Sequence, residues 1–502
     1  MGAVMSEMLA EQTPIEELYA RPFESLYREY DYQVREIDGT LPPDLLGTLF
    51  RIGPGKFEVG DTVLKTMFDG DGMVARFILD GTGVRFTNRY VRTRQFRDSM
   101  RGAMTTRGIT TNAPGLRANL RPPANTANTN IVTLCGDLLA LWEGGPPHQL
   151  DPDTLETLGT KSFPGDRLGY AGAFSAHPKW DPRTKEVFNF GLDLFPTPRL
   201  RCYRISRAGR CSQVNSLPLW DMVWNHDFAL TDRYLVFVLD PLRPNLAELL
   251  RTRSIERALQ YQLHNGSTRF ALVPRDGSKP RVIEHDPLAH IHVANAYDDG
   301  ADTVVEFIRF EDPEIFTRIG KAADGSVDRS NPRAHLVIDQ WPRGHLARYR
   351  IGGSGKITET VLSESVVMEF PQYDWRRSTR EHSVTYAAAS TQDQGHYNSI
   401  VKIDHRTLAM SRCEFGVSQT GEPLFVPRKG ATAEDDGWLL VLNHDLRSHR
   451  SQLVILDARD LDAGPVAVAH LEHHLPLGFH GTFTRRVARP DAELPHPNAL
   501  GV

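Results

Sequence analysis

Four histidines sit in separate and unlike neighbourhoods: His177 in AHPKWDP, His226 in WNHDFALTDRY, His292 in HVANAYDDG and His480 in PLGFHGTF. Imidazole is the commonest side-chain ligand for metals, but ligands spread over about three hundred residues cannot share one helix or one turn. A closed architecture that returns the chain repeatedly to a common axis would gather them, which points to a propeller holding one metal. The chain has nineteen histidines, so each taken singly reads as a satisfied or surface residue, and the surroundings single these four out. His177 and His226 stand beside groups that accept hydrogen bonds, and HVANAY sets His292 in or beside a strand. The glycines of GFHG permit close backbone approach around His480. The competing reading is that Asn295 and Asp227 merely close turns.

Three carboxylates occur in otherwise apolar or structured strings: Glu143 in LLALWEGG, Glu369 in VVMEFPQYD and Glu422 in GEPLFVPR. A glutamate embedded in an apolar strand is costly unless it is hydrogen-bonded or paired. A metal-bound histidine usually donates its second ring N–H to a carboxylate or carbonyl, so four histidines and three glutamates make a coherent site. The alternative is that Glu143 and Glu422 simply begin loops. FDGDGMV, from Phe68 to Val74, lacks the ligand ladder of a calcium loop and reads as a tight turn on Gly70 and Gly72 joining two strands. FRIGPGKF has neither the spacing nor the lysine-threonine ending of a phosphate loop. No GxSxG, HExxH or Cys/His nucleophile pattern appears, which lowers the odds of hydrolase chemistry.

The elements that must position these groups are mainly strands. LLALW, VFNFGL, YLVFVLD, RFALV, TVVEFIRF, HLVIDQW, SVTYAAA, WLLVLNHD and QLVILDA are short apolar runs bounded by Gly, Pro, Asp or Asn, the signature of β structure. An Asp followed three residues later by Thr or Asp recurs at Asp151, Asp181, Asp404 and Asp457. Such an Asp can hydrogen-bond the backbone two residues on, so each copy is expected to close a hairpin. Helical patterning is confined to the N-terminal stretch and to NLAELLRTRSIERALQYQL, residues 245–263, expected to cap one face of the sheets. No linker is evident, so the reading is an N-terminal extension over 1–29 and a single domain over 30–502.

Bulk composition removes several classes. A formal charge of −5 gives no electrostatic reason to expect nucleic acid as a partner. Four cysteines without CxxC spacing are too few for a disulfide framework, and a reducing cytoplasm fits best. The N-terminus lacks the apolar core of a secretory signal. No apolar run approaches the ~18 to 20 residues that span a bilayer, so membrane contact must be peripheral.

Taken in order, LPPDLLGTLFRIGPG, FDGDGMV, NTANTNIV, LLALWEGG, AHPKWDP, NHDFALT, HVANAY, MEFPQYD, GEPLFVPR, EDDGWLL and LGFHGTF resemble the carotenoid cleavage oxygenases. The resemblance runs from about residue 30 to residue 485, and the opening REYDYQVREIDGTLPPDLLGTLFRIGPG is most similar to the bacterial apocarotenoid 15,15'-oxygenases. It implies a seven-bladed β-propeller, all-β, with an α-helical and loop dome over one face and a non-haem Fe(II) on the axis. His177, His226, His292 and His480 stand at the family's iron-ligand positions, and Glu143, Glu369 and Glu422 match the carboxylates that orient three of those imidazoles. The implied reaction is cleavage of a carbon-carbon double bond by O2 into two carbonyl products, of the retinal type, with no catalytic side chain beyond the metal centre. Four neutral imidazoles leave the metal's charge uncompensated and, in a six-coordinate scheme, leave positions free for dioxygen.

A water-insoluble polyene requires an apolar tunnel, with Trp142 and Phe68 as candidates for its lining. The substrate must be drawn from a membrane or carrier, so an apolar patch is expected near the tunnel mouth, with LDPLRPNLAELL as the candidate. The rival within the family is a stilbene or lignostilbene dioxygenase, where a lysine that contacts the phenol typically precedes the first carboxylate; this chain has Trp142. The rival from another class is a metal-free propeller acting as a binding module, which would make the histidines core or turn residues.

Overall fold

The computed structural model describes residues 13–489 apart from 61, 167, 170–171, 194–196, 220–224, 253–258, 262–265, 312–342 and 392–395. Within it the apolar runs pair with their sequence neighbours. Asp302–Phe310, which carries TVVEFIRF, pairs on one side with Ala289–Asp299 and on the other with Gly344–Ile351. Val304, Val305, Phe307 and Ile308 in it are all fully buried. Adjacent sheets cover both faces of such a strand, so it reads as continuously apolar instead of alternating. The run HLVIDQW lies outside the described residues.

Seven large antiparallel sheets result. Blades 2 to 6 are each built from consecutive strands, lying within residues 130–160, 179–218, 229–285, 289–361 and 367–414. Blades 1 and 7 exchange strands between the chain ends. Gly481–Thr484 pairs with Gly47–Lys56 in blade 1, and Glu36–Gly39 pairs with Pro465–His470 in blade 7. Each terminus thus completes the blade begun by the other, and the ring is closed by strand pairing between the two ends of the chain. The apolar core is distributed between blades: Ile308 and Leu346 of blade 5, for instance, pack in one cluster with Met368, Ala387 and Val401 of blade 6.

The Asp turns do what their spacing predicts. Asp151 Oδ1 accepts the N–H groups of Asp153 and Thr154 at 2.9 and 2.8 Å, and Asp404 Oδ1 does the same for Arg406 and Thr407, both at 2.9 Å. Asp181 and Asp457 likewise accept the N–H two residues on, at 2.9 and 3.0 Å, and each of the four lies between paired strands. The helix expected over 245–263 is shorter. It spans Leu246–Thr252, and Leu259–Tyr261 is instead a strand paired with Leu242–Pro244, so tertiary pairing overrides the local three-four spacing there. Upstream, a helix over Ile15–Ala20 leads into a segment whose Phe23 and Leu26 are buried against the propeller.

Gly70 and Gly72 do not form a hairpin turn. Met67–Asp69 is a 3-10 turn leading into the strand Asp71–Leu79, and Asp69 is a buried anchor. Its carboxylate accepts the N–H groups of Ile109, Thr110 and Thr111 at 2.6 to 3.1 Å. It thereby pins the long connection 91–128, which leaves the end of blade 1 where the first strands of the blades begin. That connection and the helix Leu246–Thr252 lie at the same end and form part of a dome there. No helix among the described residues is long and apolar enough to cross a membrane.

One close approach sets the position of the last inner strand. A Cβ on Gly53 would lie 2.4 Å from the Gly478 Cα, and Phe479 and His480 bond back to Ile52 with N–H···O distances of 2.9 and 3.0 Å. Gly53→Ala is therefore expected to cost about 1–3 kcal/mol through overpacking, read as a lowered denaturant midpoint with an unchanged slope.

Candidate metal centre

Each of the four histidines lies at or near the beginning of the first strand of a blade. His177 precedes Lys179–Asp181, His226 precedes Ala229–Leu230, His292 is in Ala289–Asp299 and His480 precedes Gly481–Thr484. The first strands of blades 3 to 6 contact one another in turn, and that of blade 1 contacts those of blades 2 and 7, so these four side chains meet although they come from blades 3, 4, 5 and 1. The Nε2 atoms form a chain of short separations: His177 to His226 2.9 Å, His226 to His292 3.3 Å, and His292 to His480 3.2 Å. The His177 and His480 rings close the circle with centroids 4.5 Å apart.

The other ring nitrogen of three of them meets a carboxylate. His226 Nδ1 lies 3.0 Å from Glu143, His292 Nδ1 2.7 Å from Glu369, and His480 Nδ1 2.9 Å from Glu422. Glu143 follows the second strand of blade 2, Glu369 lies in the first strand of blade 6, and Glu422 interrupts the first strand of blade 7. An ionised carboxylate only accepts, so each bond puts the proton on Nδ1 and turns the Nε2 lone pair toward the other histidines. Glu143 is half-buried, whereas Glu369 and Glu422 are buried.

Three Nε2 lone pairs turned toward one another and toward His177 within van der Waals range form a repulsive arrangement that a cation would relieve. Metal–nitrogen bonds of about 2.1 Å place neighbouring ligands about 3.0 Å apart at right angles and about 3.4 Å apart at tetrahedral corners; two of the observed separations, 3.3 and 3.2 Å, fall in that interval and the third, 2.9 Å, lies just below it. The charges agree. Arg51 Nη1 bonds Glu422 at 2.8 Å, so three carboxylates face one guanidinium and leave two negative charges around neutral imidazoles. A divalent ion among the four rings would balance them.

Burial holds the His177 imidazole well below its ordinary pKa, with the neighbouring histidines acting in the same direction. Burial also lowers His480, more than Glu422 raises it. At His226 burial is outweighed by Glu143, with Asp227 acting in the same direction as Glu143, and the pKa rises. Glu422 is driven down to about 2, burial being overcome by His480 and Arg51.

Several supporting residues carried no signal in the sequence reading. Arg51 also donates to the Phe479 carbonyl at 2.9 Å, and Gln372 Nε2 donates to Glu422 at 2.7 Å. Asp227 does far more than close a turn. Its carboxylate accepts the N–H of Phe228 at 2.7 Å and of Val293 at 2.9 Å, and pairs with the Lys179 ammonium at 2.8 Å. Those groups lie within two residues of His226, His292 and His177, so one buried carboxylate ties three of the four histidine-bearing segments together. Asn295 likewise crosses between blades, donating to the Arg380 carbonyl at 2.8 Å. Only a position one residue after a histidine, beside apolar strand residues, marks Asp227 in the sequence.

Phe370 has a φ of 58°, unusual for a residue with a side chain. Its ring centroid lies 5.0 Å from that of His292 and 5.6 Å from that of His480. Phe68 stacks on Phe479 at 5.9 Å, one residue from His480. Trp142 is buried directly before Glu143, with its ring against Gly144.

The geometry has close parallels. The chain is 34% identical over 93% of its length to apocarotenoid-15,15'-oxygenase of Synechocystis sp., covering 96% of that protein. It is 28% identical to resveratrol cleavage oxygenase 1 of Aspergillus fumigatus, covering 91% of this chain and 93% of that one. It is equally 28% identical to isoeugenol monooxygenase of Pseudomonas nitroreducens, covering 90% and 94%. A solved structure of cobalt-substituted Synechocystis apocarotenoid oxygenase superposes with a TM-score of 0.83 at 31% identity, covering 93% of this chain and 98% of that one. The model of the family described as RPE65, retinal pigment epithelial membrane protein, matches residues 22–485. With the propeller, the ring of histidines and these likenesses together, the chain belongs to the RPE65 family of carotenoid cleavage oxygenases and is an enzyme of that class.

Proposed function

We propose that His177, His226, His292 and His480 hold one Fe(II), and that the protein cleaves a double bond of an apocarotenoid with O2 to give two aldehydes, one of them of the retinal type. The convergence of four Nε2 atoms, three of them backed by Nδ1–H···carboxylate bonds, carries this reading. Bound there, iron supplies the activation of dioxygen. The chain supplies everything else. Glu143, Glu369 and Glu422 hold the imidazoles in the ligating tautomer, Arg51 and Asp227 position those groups, and Phe370 covers two of the rings.

An apocarotenoid fits the apolar groups nearby. Phe68 and Phe479 stack next to His480, and the residue before Glu143 is the buried Trp142 and not a lysine; both Trp142 and Phe68 belong to the proposed tunnel lining. The second reading is a phenolic olefin, favoured by likeness to proteins named as resveratrol cleavage oxygenase and isoeugenol monooxygenase. For drawing a polyene from a membrane, Met100, Leu116 and Leu120 of the 91–128 connection and Leu250 of the candidate patch are exposed at the dome end. The four cysteines are unpaired, in keeping with a reducing cytoplasm. Residues 30–502 would act as one propeller domain.

Aerobic incubation with all-trans apocarotenals, full-length carotenes and hydroxystilbenes, followed by mass analysis of the aldehydes, tests the assignment. Retinal-length products from apocarotenals are expected, and cleavage of hydroxystilbenes alone would move the protein to the phenolic reading. His292→Ala is expected to abolish iron retention and turnover while leaving the far-ultraviolet circular dichroism unchanged. A wild-type protein that holds no metal under iron loading would instead make the propeller a binding module. Glu369→Gln should weaken metal retention about 10- to 100-fold. Asp227→Asn should likewise lower iron content at equilibrium, with a thermal midpoint that iron addition raises more than in the wild type.

A further inference from the structure

Among the described residues a second group of convergent ligand atoms lies at the opposite end of the propeller, between blades 5 and 6. Glu306, His382 and His405 are buried, and their ligand atoms fall within 4.8 Å of one another. Asn295, three residues along the strand from His292, pairs with Glu306, and the group opens toward solvent through a cavity of about 340 Å³ bordered by His382, Ser383 and His405.

The hydrogen bonds fix both tautomers. The Asn295 amide nitrogen lies 3.2 Å from His382 Nδ1, and the Arg348 guanidinium lies 3.1 Å from His405 Nδ1. Both partners can only donate through these nitrogens, so both Nδ1 atoms accept and both Nε2 atoms carry the proton. The two Nε2–H groups converge on one acceptor, the Thr385 hydroxyl, at 3.0 and 2.9 Å. By accepting from both far nitrogens the hydroxyl orients the two imidazoles, the role that a carboxylate, carbonyl or water plays behind metal-ligating histidines. Burial, with Arg348 assisting, keeps His405 neutral at a pKa of about 4, and burial holds His382 well below its ordinary value.

The third member supplies the charge. Glu306 Oε1 bonds Arg348 at 2.7 Å, while Glu306 Oε2 is fully buried with no hydrogen-bond partner. Burial, only partly offset by Arg348, lifts this carboxyl to about 7. Glu306 Oε2 lies 3.3 Å from His382 Nδ1, and Oε1 lies 3.6 Å from His405 Nδ1. Ligands on a metal at bonds of about 2.0–2.1 Å sit about 3.0–3.4 Å apart, so a bound ion would draw together these three ligand atoms, which lie within 4.8 Å of one another. Two imidazoles and one carboxylate suit zinc and its neighbours. Arg348 and Asn295 compete for the same lone pairs, and the adjoining cavity gives the guanidinium room to withdraw.

We propose that Glu306, His382 and His405 form a second metal site, on the face of the propeller away from the axial histidines, that takes a divalent ion of the zinc class. Full-length, iron-loaded protein equilibrated with Zn²⁺ and freed of unbound metal should hold about two ions per chain by elemental analysis, iron and zinc counted together. His405→Gln should hold about one and keep its cleavage activity. In a His292→Ala background, which removes the axial ion, one Zn²⁺ should remain and be lost on adding His405→Gln, so the result stands apart from the iron assignment. Arg348→Met removes the competing cation and leaves Glu306 buried and unpaired. Its zinc affinity should rise roughly tenfold, and Zn²⁺ should raise its thermal midpoint more than that of the wild type. One ion per chain in both the wild type and Arg348→Met would overturn the proposal and leave a buried ion pair with a structural role.

Discussion

Imidazole lone pairs turned toward one another repel, and the rest of the molecule is organised to hold the four rings together. Three of the rings are fixed from behind by carboxylates, which set the proton on the outer nitrogen and so keep the inner one free. Glu369, Glu422 and the bracing Asp227 are buried charges that need compensation. Arg51 supplies it at Glu422 and Lys179 at Asp227. What remains is a surplus of negative charge, which a divalent cation among the four rings would balance.

Such a centre demands precision from residues far apart in sequence, and the propeller provides it through first strands that pack side by side around one axis. Ring closure matters more than any single blade. His480 belongs to a strand at the far end of the chain, yet it is seated on Ile52 near the beginning, and the Gly53 to Gly478 approach sets its depth. Asp227 performs the same service on the other side of the centre, holding the backbone beside one histidine, the strand of a second and the lysine following a third. Positioning by backbone hydrogen bonds to a buried carboxylate is stiffer than positioning by side-chain packing alone.

The two ends of the molecule are unlike. Long connections gather at the end that bears the histidines, pinned by Asp69, and they carry exposed apolar residues suited to a lipid-soluble substrate. Short hairpins close the other end, many through an Asp that accepts backbone N–H groups, and there charged side chains surround Glu306, His382 and His405. Blade 5 joins the two ends: its first strand carries His292 and, three residues on, the Asn295 that meets His382.

The strands, the Asp-closed hairpins and the identity of the convergent histidines were legible in the sequence, because apolar runs bounded by turn residues, and an Asp at the first turn position, act over a few residues. The two calcium-like aspartates were misread as part of a turn for the same reason: Asp69 serves partners forty residues away, and nothing local announces them. The helix over 245–263 was overextended because three-four spacing cannot reveal that Leu259–Tyr261 finds a strand partner. By itself the sequence determined which four histidines converge and what kind of sheet carries them. Only the tertiary structure decided which nitrogen of each ring faces inward, how Arg51 and Asp227 balance and brace the site, and that a second cluster exists at all. Those are matters of distance and burial between segments separated by scores to hundreds of residues, which local chemistry does not encode.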